Sequence, residues 1–170
     1  MAVTWQEGCA EPWIGGILQA LLRCYQHHPL RVLETGGFIG YTSLKLAEAL
    51  EWNDELIVCE IDPERAKRIQ YVLEDHAKSE WRVVADDVLK WIATQPNESL
   101  DFIWLDDDHG KQHVFEEIEA LLPKMKPGGI ICGHDVFGVC ELHEVFARFG
   151  GYSLALPMLG PAGGLGLLQV

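Results

Sequence analysis

Val32-Leu33-Glu34-Thr35-Gly36-Gly37-Phe38-Ile39-Gly40-Tyr41-Thr42-Ser43-Leu44 runs from an apolar strand through a glycine turn into a helix. Such a turn receives a ligand. Glycines at 36, 37 and 40 let the backbone take φ > 0 and approach a bound molecule, and the unpaired N–H groups of the helix start face the same space. The residue before the glycines selects the ligand. A dinucleotide loop wants G-x-G-x-x-G, or G-x-x-G-x-x-G, against a pyrophosphate, but counting back from Gly40 gives Gly37 and then Glu34. A carboxylate there would repel a pyrophosphate and suits a ligand carrying positive charge. Tyr41 and Lys45 mimic a dehydrogenase Y-x-x-x-K pair, yet they fall in the first helix after the turn, too early in the chain to meet a nicotinamide.

Positive charge of the required kind is carried by the methionyl ammonium and the sulfonium of S-adenosylmethionine. The stretch resembles the first motif of the class I methyltransferases, E/D-x-G-x-x-x-G. In its form Gly36, Phe38, Gly40, Tyr41, Thr42 it is most similar to the small O-methyltransferases of the catechol and caffeoyl-CoA type and their family-24 relatives. One strand later, Leu56-Ile57-Val58-Cys59-Glu60-Ile61-Asp62 ends in acids before Pro63 opens a helix. Glu60 lies about 20 residues past the glycine loop, the interval at which an acid accepts the hydroxyls of a ribose; Asp62 reads as the cap of the next helix. In Ala85-Asp86-Asp87-Val88-Leu89 the resemblance implies that Asp87 accepts from the adenine amino group, with Asp86 in the family's glycine position. An aspartate also caps a helix well, so which of the two contacts adenine stays open. The cofactor set is thus Glu34, Gly36, Gly37, Phe38, Gly40, Glu60, Asp86 and Asp87, with Asp106 beside them.

The periodicity predicts a helix over 13–25 and then strand 31–35, helix 41–51, strand 56–61, helix 63–76, strand 81–85, helix 87–94, strand 101–105, helix 111–125, strand 129–133 and helix 140–149. Alternating β and α with continuous apolar strands implies an α/β fold whose parallel sheet is covered on both faces. Residues 152–156 and 165–170 flank a Gly/Pro connection and read as a hairpin. Five βα units ending in a hairpin match the three-layer, Rossmann-like, seven-stranded methyltransferase sheet. Residues 29–170 form that domain, and residues 1–28 form an N-terminal helical segment. Trp5 and Trp13 could lie across the cofactor mouth, or Trp13, Leu18 and Leu22 could be ordinary packing.

Strand four delivers Asp106-Asp107-Asp108-His109 and strand five His134-Asp135-Val136, at the ends where open α/β sheets bind ligands. Three consecutive aspartates repel one another unless a cation or hydrogen bonds compensate. Carboxylates suit Mg2+, and added imidazole moves the preference toward Mn2+, Fe2+ or Zn2+. In the cation-dependent relatives the fourth strand supplies an Asp and the fifth an Asp-Asn pair; here Asp106 matches the first, His134 replaces the second and Asp135 stands where Asn would be. The family-24 form, D-x-D-H followed by H-D-V, fits better. His109 takes the place of a catechol-type lysine base, and an imidazole can accept a hydroxyl proton as the methyl group transfers. Catalysis is assigned to His109 and Asp106, and a divalent cation, Mg2+ or Mn2+, to Asp106, His134 and Asp135. His113, one turn beyond His109, reads as a surface histidine.

Composition bounds the rest. The 170 residues suffice for one large core, and 48% of them are apolar. Acids outnumber bases 26 to 13 for a net charge of -13, which argues against nucleic-acid partners. The five cysteines, at 9, 24, 59, 132 and 140, never form C-x-x-C and read as thiols of a reducing cytoplasm. No basic-then-apolar leader and no run of 18 apolar residues suggests secretion or a membrane. The expectation is a cytoplasmic S-adenosylmethionine-dependent methyltransferase acting on a small-molecule acceptor, most simply a hydroxyl. The short N-terminus leaves room for a homo-oligomer in which a second subunit completes the acceptor pocket. An S-adenosylmethionine- or metal-binding protein without turnover, and less so an NAD-dependent oxidoreductase, are the alternatives.

Overall fold

The computed structural model describes residues 10, 12–138, 141–155 and 163–170. Trp5, Cys9 and Cys140, and the start of the helix expected at 140, lie outside them. The chain divides into two compact units, Met1–Val88 and Leu89–Val170. Seven strands follow the order β3-β2-β1-β4-β5-β7-β6, so the expected α/β architecture is the one observed.

In the first unit, helix α1 (Pro12–Arg23) precedes β1 (Arg31–Thr35), α2 (Tyr41–Ala47), β2 (Glu55–Cys59), α3 (Pro63–His76) and β3 (Glu80–Val84). The strands pair in parallel, Leu33 opposite Ile57 and Ile57 opposite Arg82. Val32, Leu33, Leu56, Ile57 and Val58 are fully buried, each removing roughly 1.5–3 kcal/mol worth of apolar surface from water. The edge strand β3 has no fully buried residue. On α1, Leu18 and Leu22 are buried, and Gln19 Nε2 donates to the Lys45 carbonyl of α2 at 2.9 Å. For those two leucines, packing is the observed role. The helix expected over 41–51 stops at Ala47, because Ala49 and Leu50 bond three residues back and tighten the chain out of the α-helix.

In the second unit come α4 (Val88–Thr94), β4 (Leu100–Leu105), α5 (Lys111–Leu121), β5 (Met125–Gly133), α6 (Leu142–Arg148), β6 (Tyr152–Ala155) and β7 (Gly164–Gln169). Strands β4 and β5 are parallel, while β5–β7 and β6–β7 are antiparallel, which is the expected hairpin. Helix α5 ends earlier than its pattern suggests, passing into a single 3-10 turn over Leu122–Lys124. Pro123 has no N–H to give and would clash with a continuing α-turn. Strand β5 begins four residues earlier than expected. Lys126-Pro127-Gly128 falls between the expected helix and the expected strand, yet the structure absorbs it, with Gly129, as a bulge between the Leu100–Met125 and Phe102–Ile130 pairs, with Gly128 at φ 85°. There Lys126 Nζ donates to the buried Asp101 at 2.7 Å.

Candidate functional site

The first unit builds a receiving loop between β1 and α2. Gly36 takes φ 75° and donates to the Cys59 carbonyl at 2.9 Å, and Gly40 takes φ 85° as the residue before α2. Gly37 serves differently. Its φ is not in the left-handed region; instead a Cβ there would sit 2.5 Å from Val58 Cγ1 and 2.6 Å from Ile69 Cδ1, so glycine is required by close approach. The left-handed residue in the middle of the turn is Phe38, at φ 48°, with the Arg65 guanidinium 4.8 Å from its ring centre. A non-glycine residue held there marks a backbone fixed by its surroundings.

The fixing group is Glu60. One carboxylate oxygen accepts the Phe38 N–H at 2.8 Å and the other the Asp62 N–H at 2.9 Å, with the residue only 4% exposed. Each carboxylate oxygen can accept more than one hydrogen bond, so Glu60 holds the loop and retains acceptor capacity. Asp62 is the helix cap that the sequence indicates, accepting from the N–H groups of Glu64 and Arg65. Those two bonds, Arg65 first, hold its carboxyl below the usual range.

Glu34 is placed differently from a surface acid. It is 1% exposed and accepts the hydroxyl of Ser43 on α2. Asp86 is exposed and accepts the N–H of Asp87 at 2.8 Å; Asp87 is half-buried.

The second unit gathers the acids and imidazoles. His134 Nδ1 lies 3.0 Å from Asp106 Oδ1, so that Nδ1–H donates to the carboxylate, and the His134 N–H bonds the Leu105 carbonyl at 3.0 Å. His109 Nε2 stands 3.6 Å from the same Asp106 oxygen, is buried and makes no hydrogen bond. Asp106, His109 and His134 offer one ligand atom each, all within 4.8 Å of one another. Burial pushes the Asp106 carboxyl up, against the opposing pull of His134. These residues, with Leu105, Gly133 and Phe146, line a small cleft.

Asp135 takes φ 47° and faces the other ring nitrogen, Nε2 of His134, at 3.6 Å. Two nitrogens of one imidazole point apart, so a cation held between Asp106 and Nδ1 is not the one Asp135 would meet. The group that the structure brings together is Asp106, His109 and His134 in place of Asp106, His134 and Asp135.

His113 differs from its surface expectation. Its Nε2 lies 3.0 Å from Asp107 and 3.7 Å from Glu117, which is fully buried. The signal in the sequence was the His-x-x-x-Glu spacing, which puts both side chains on one helix face.

Among known families, the model described as "Methyltransferase domain" matches residues 33–136. The chain is similar to an O-methyltransferase from Bacillus cereus solved with S-adenosylhomocysteine, at 23% identity and TM-score 0.76, over 97% of this chain and 84% of that one. It is similar also to the O-methyltransferase TomG from Streptomyces achromogenes, solved with S-adenosylmethionine, at 22% identity and TM-score 0.74, over 95% and 81%. A methyltransferase from Geobacter sulfurreducens gives 18% identity and TM-score 0.72, over 95% and 80%. At these identities the likeness is one of fold. No curated protein matches.

Proposed function

The chain belongs to methyltransferase family 24, and from that premise we propose that it is an S-adenosylmethionine-dependent O-methyltransferase of small-molecule hydroxyls. The observation that carries the reading is His109 Nε2, a buried imidazole nitrogen with no hydrogen bond, 3.6 Å from a carboxylate. A nitrogen so placed can take the proton of an acceptor hydroxyl, and Asp106 favours the imidazolium that results. His134, donating from Nδ1, holds Asp106 in position.

On the first unit, the roles proposed are these. Glu60 uses its remaining acceptor capacity for ribose hydroxyls, and one of Asp86 and Asp87 meets adenine. Gly36, Gly37, Phe38 and Gly40 form the loop, and Glu34 supplies the negative potential that suits an ammonium. When bound, S-adenosylmethionine supplies the methyl group for an in-line displacement that needs chiefly alignment and exclusion of water.

A divalent cation fits the donor set of Asp106, His109 and His134, whose ligand atoms are close enough to share one ion. There Mg2+ or Mn2+ would supply Lewis acidity toward the acceptor oxygen. The two uses exclude each other at His109, since a nitrogen that ligates a cation cannot also take a proton. The free thiols of Cys24 and Cys132 accord with a reducing cytoplasm. Among the described residues no helix is long and apolar enough to cross a membrane.

Calorimetry with S-adenosylhomocysteine, paired with transfer of labelled methyl groups to a panel of phenols and catechols, tests the reading. His109→Gln and Asp106→Asn should lower turnover by about 10²–10⁴-fold with cofactor affinity intact. Glu60→Gln loses one charged acceptor and should weaken cofactor binding roughly 10–100-fold. Binding of NAD in place of S-adenosylhomocysteine, or turnover untouched by both cluster variants, overturns it. Turnover that disappears on chelation and returns with Mn2+ assigns His109 as a ligand and not as the base.

A further inference from the structure

We propose that Trp104 is a positioning residue for methyl transfer: its indole sets the ring plane of His134 and, through that imidazole, the place of the Asp106 carboxylate beside His109. The role deepens the reading of this cluster as the base of an O-methyltransferase and rests on it. Alternation along a strand turns residues two apart to the same side, so Trp104 of β4 and Asp106, just beyond its end, approach one imidazole. Asp106 Oδ1 accepts the Nδ1–H of His134 at 3.0 Å, and the Trp104 ring centre lies 5.6 Å from that of His134 with the planes inclined at 45°. Aromatic pairs attract at centre separations of about 4.5–7 Å.

Setting a plane is a different task from holding an atom. The bond to Asp106 places Nδ1, and the bond from the His134 N–H to the Leu105 carbonyl at 3.0 Å places the backbone. The torsion that turns a histidine ring has only broad preferences of its own, so the plane follows from what lies against the ring face. Trp104 supplies a rigid wall there: it is 0% exposed and pairs in register with Cys132, which is equally buried. His109 meets the same imidazole at a steeper angle, 68°, with centres 6.3 Å apart. A His134 ring that turned would carry Nδ1–H off Asp106 and let the carboxylate shift relative to His109.

The indole nitrogen is the second observation. A buried tryptophan N–H usually finds an acceptor, but Trp104 Nε1 is buried with none. Hydrogen bonding therefore does not account for a tryptophan at this place, whereas a broad ring against His134 does. Trp104 is not among the residues lining the cleft, so losing its ring should act on turnover and not on binding.

Four variants of the full-length protein give the test. Trp104→Leu removes the flat face; Trp104→Met also removes it but fills more of the space, and serves where Trp104→Leu does not fold. Trp104→Phe keeps a ring. Phe102→Leu is the control, since Phe102 is as fully buried on the same strand and two residues further from the cluster. Trp104→Leu and Trp104→Met should lower kcat about 10–100-fold with acceptor KM and S-adenosylhomocysteine affinity unchanged. Trp104→Phe should restore most of that loss, and Phe102→Leu should leave kcat near the wild-type value. Added to His134→Gln, Trp104→Leu should lower kcat no further, because the two residues act along one path. In NMR spectra of isotope-labelled, chelator-treated protein, the ring resonances that His134→Gln removes should shift in Trp104→Leu and Trp104→Met and stay in place in Phe102→Leu. Ring resonances of His134 unmoved by loss of the indole overturn the proposal. So do equal losses of kcat in Trp104→Leu and Phe102→Leu, or an undiminished effect of Trp104→Leu in His134→Gln. Wild type without methyl transfer overturns the O-methyltransferase reading instead, and the ring resonances then decide by themselves whether Trp104 places His134.

Discussion

At the scale of single residues, the glycine turn separates two reasons for having no side chain. Gly36 and Gly40 are glycine for their positive φ, Gly37 for the space taken by Val58 and Ile69. Gly37→Ala should therefore lower unfolding stability by about 1–3 kcal/mol in urea titrations, as an overpacked core does. Gly16→Ala is the contrasting case: the residue is exposed on α1 with nothing within 4 Å of a new Cβ, and it should gain roughly 0.8–1 kcal/mol. Equal effects of the two substitutions would contradict the packing argument. The sequence shows the glycines but cannot distinguish these reasons, because the atoms that crowd Gly37 come from β2 and α3. The same limit hides the partners of His113: the spacing to Glu117 is visible along one helix, while Asp107 arrives from the end of β4.

At the scale of elements, the start of α3 was readable to the residue. Asp62, Pro63 and Glu64 are cap, first helical position and acidic first turn, and the helix runs over the 63–76 expected. The Asp62 carboxyl is held low by two backbone N–H groups, so its contribution to stability is present above the unfolded value of about 3.9 and is lost as pH falls through the lower folded value. Asp62→Asn keeps an oxygen for the cap but no charge. The wild-type advantage in urea midpoint over Asp62→Asn should hold steady near neutrality and vanish in acid; an advantage that grows on acidification would refute the assignment. Where β5 departed from expectation, the cause was again non-local. The bulge that admits Lys126 to Gly129 into β5 is set by pairing with β4 and by Lys126 meeting Asp101, and no window of sequence contains both strands.

At the scale of the whole molecule, the alternation of apolar runs and helical patterns sufficed for the order of elements and the closing hairpin, since both follow from burying two sheet faces. Charge is the other global property legible from residues alone. With a net charge of -13, the chain should show no retention of single- or double-stranded oligonucleotides in filter binding even at low salt, where phosphate contacts are strongest; salt-sensitive binding would refute this. The grouping of Asp106 with His109 and His134 needed coordinates, because it depends on which ring nitrogen faces which carboxylate. The clamp made by Glu60 carries a further consequence. Because a single carboxylate grips both the turn after β1 and the chain leaving β2, the cradle is completed as the protein folds. On the proposed reading, an incoming adenosyl group would meet a finished contour, and little ordering entropy would oppose its capture.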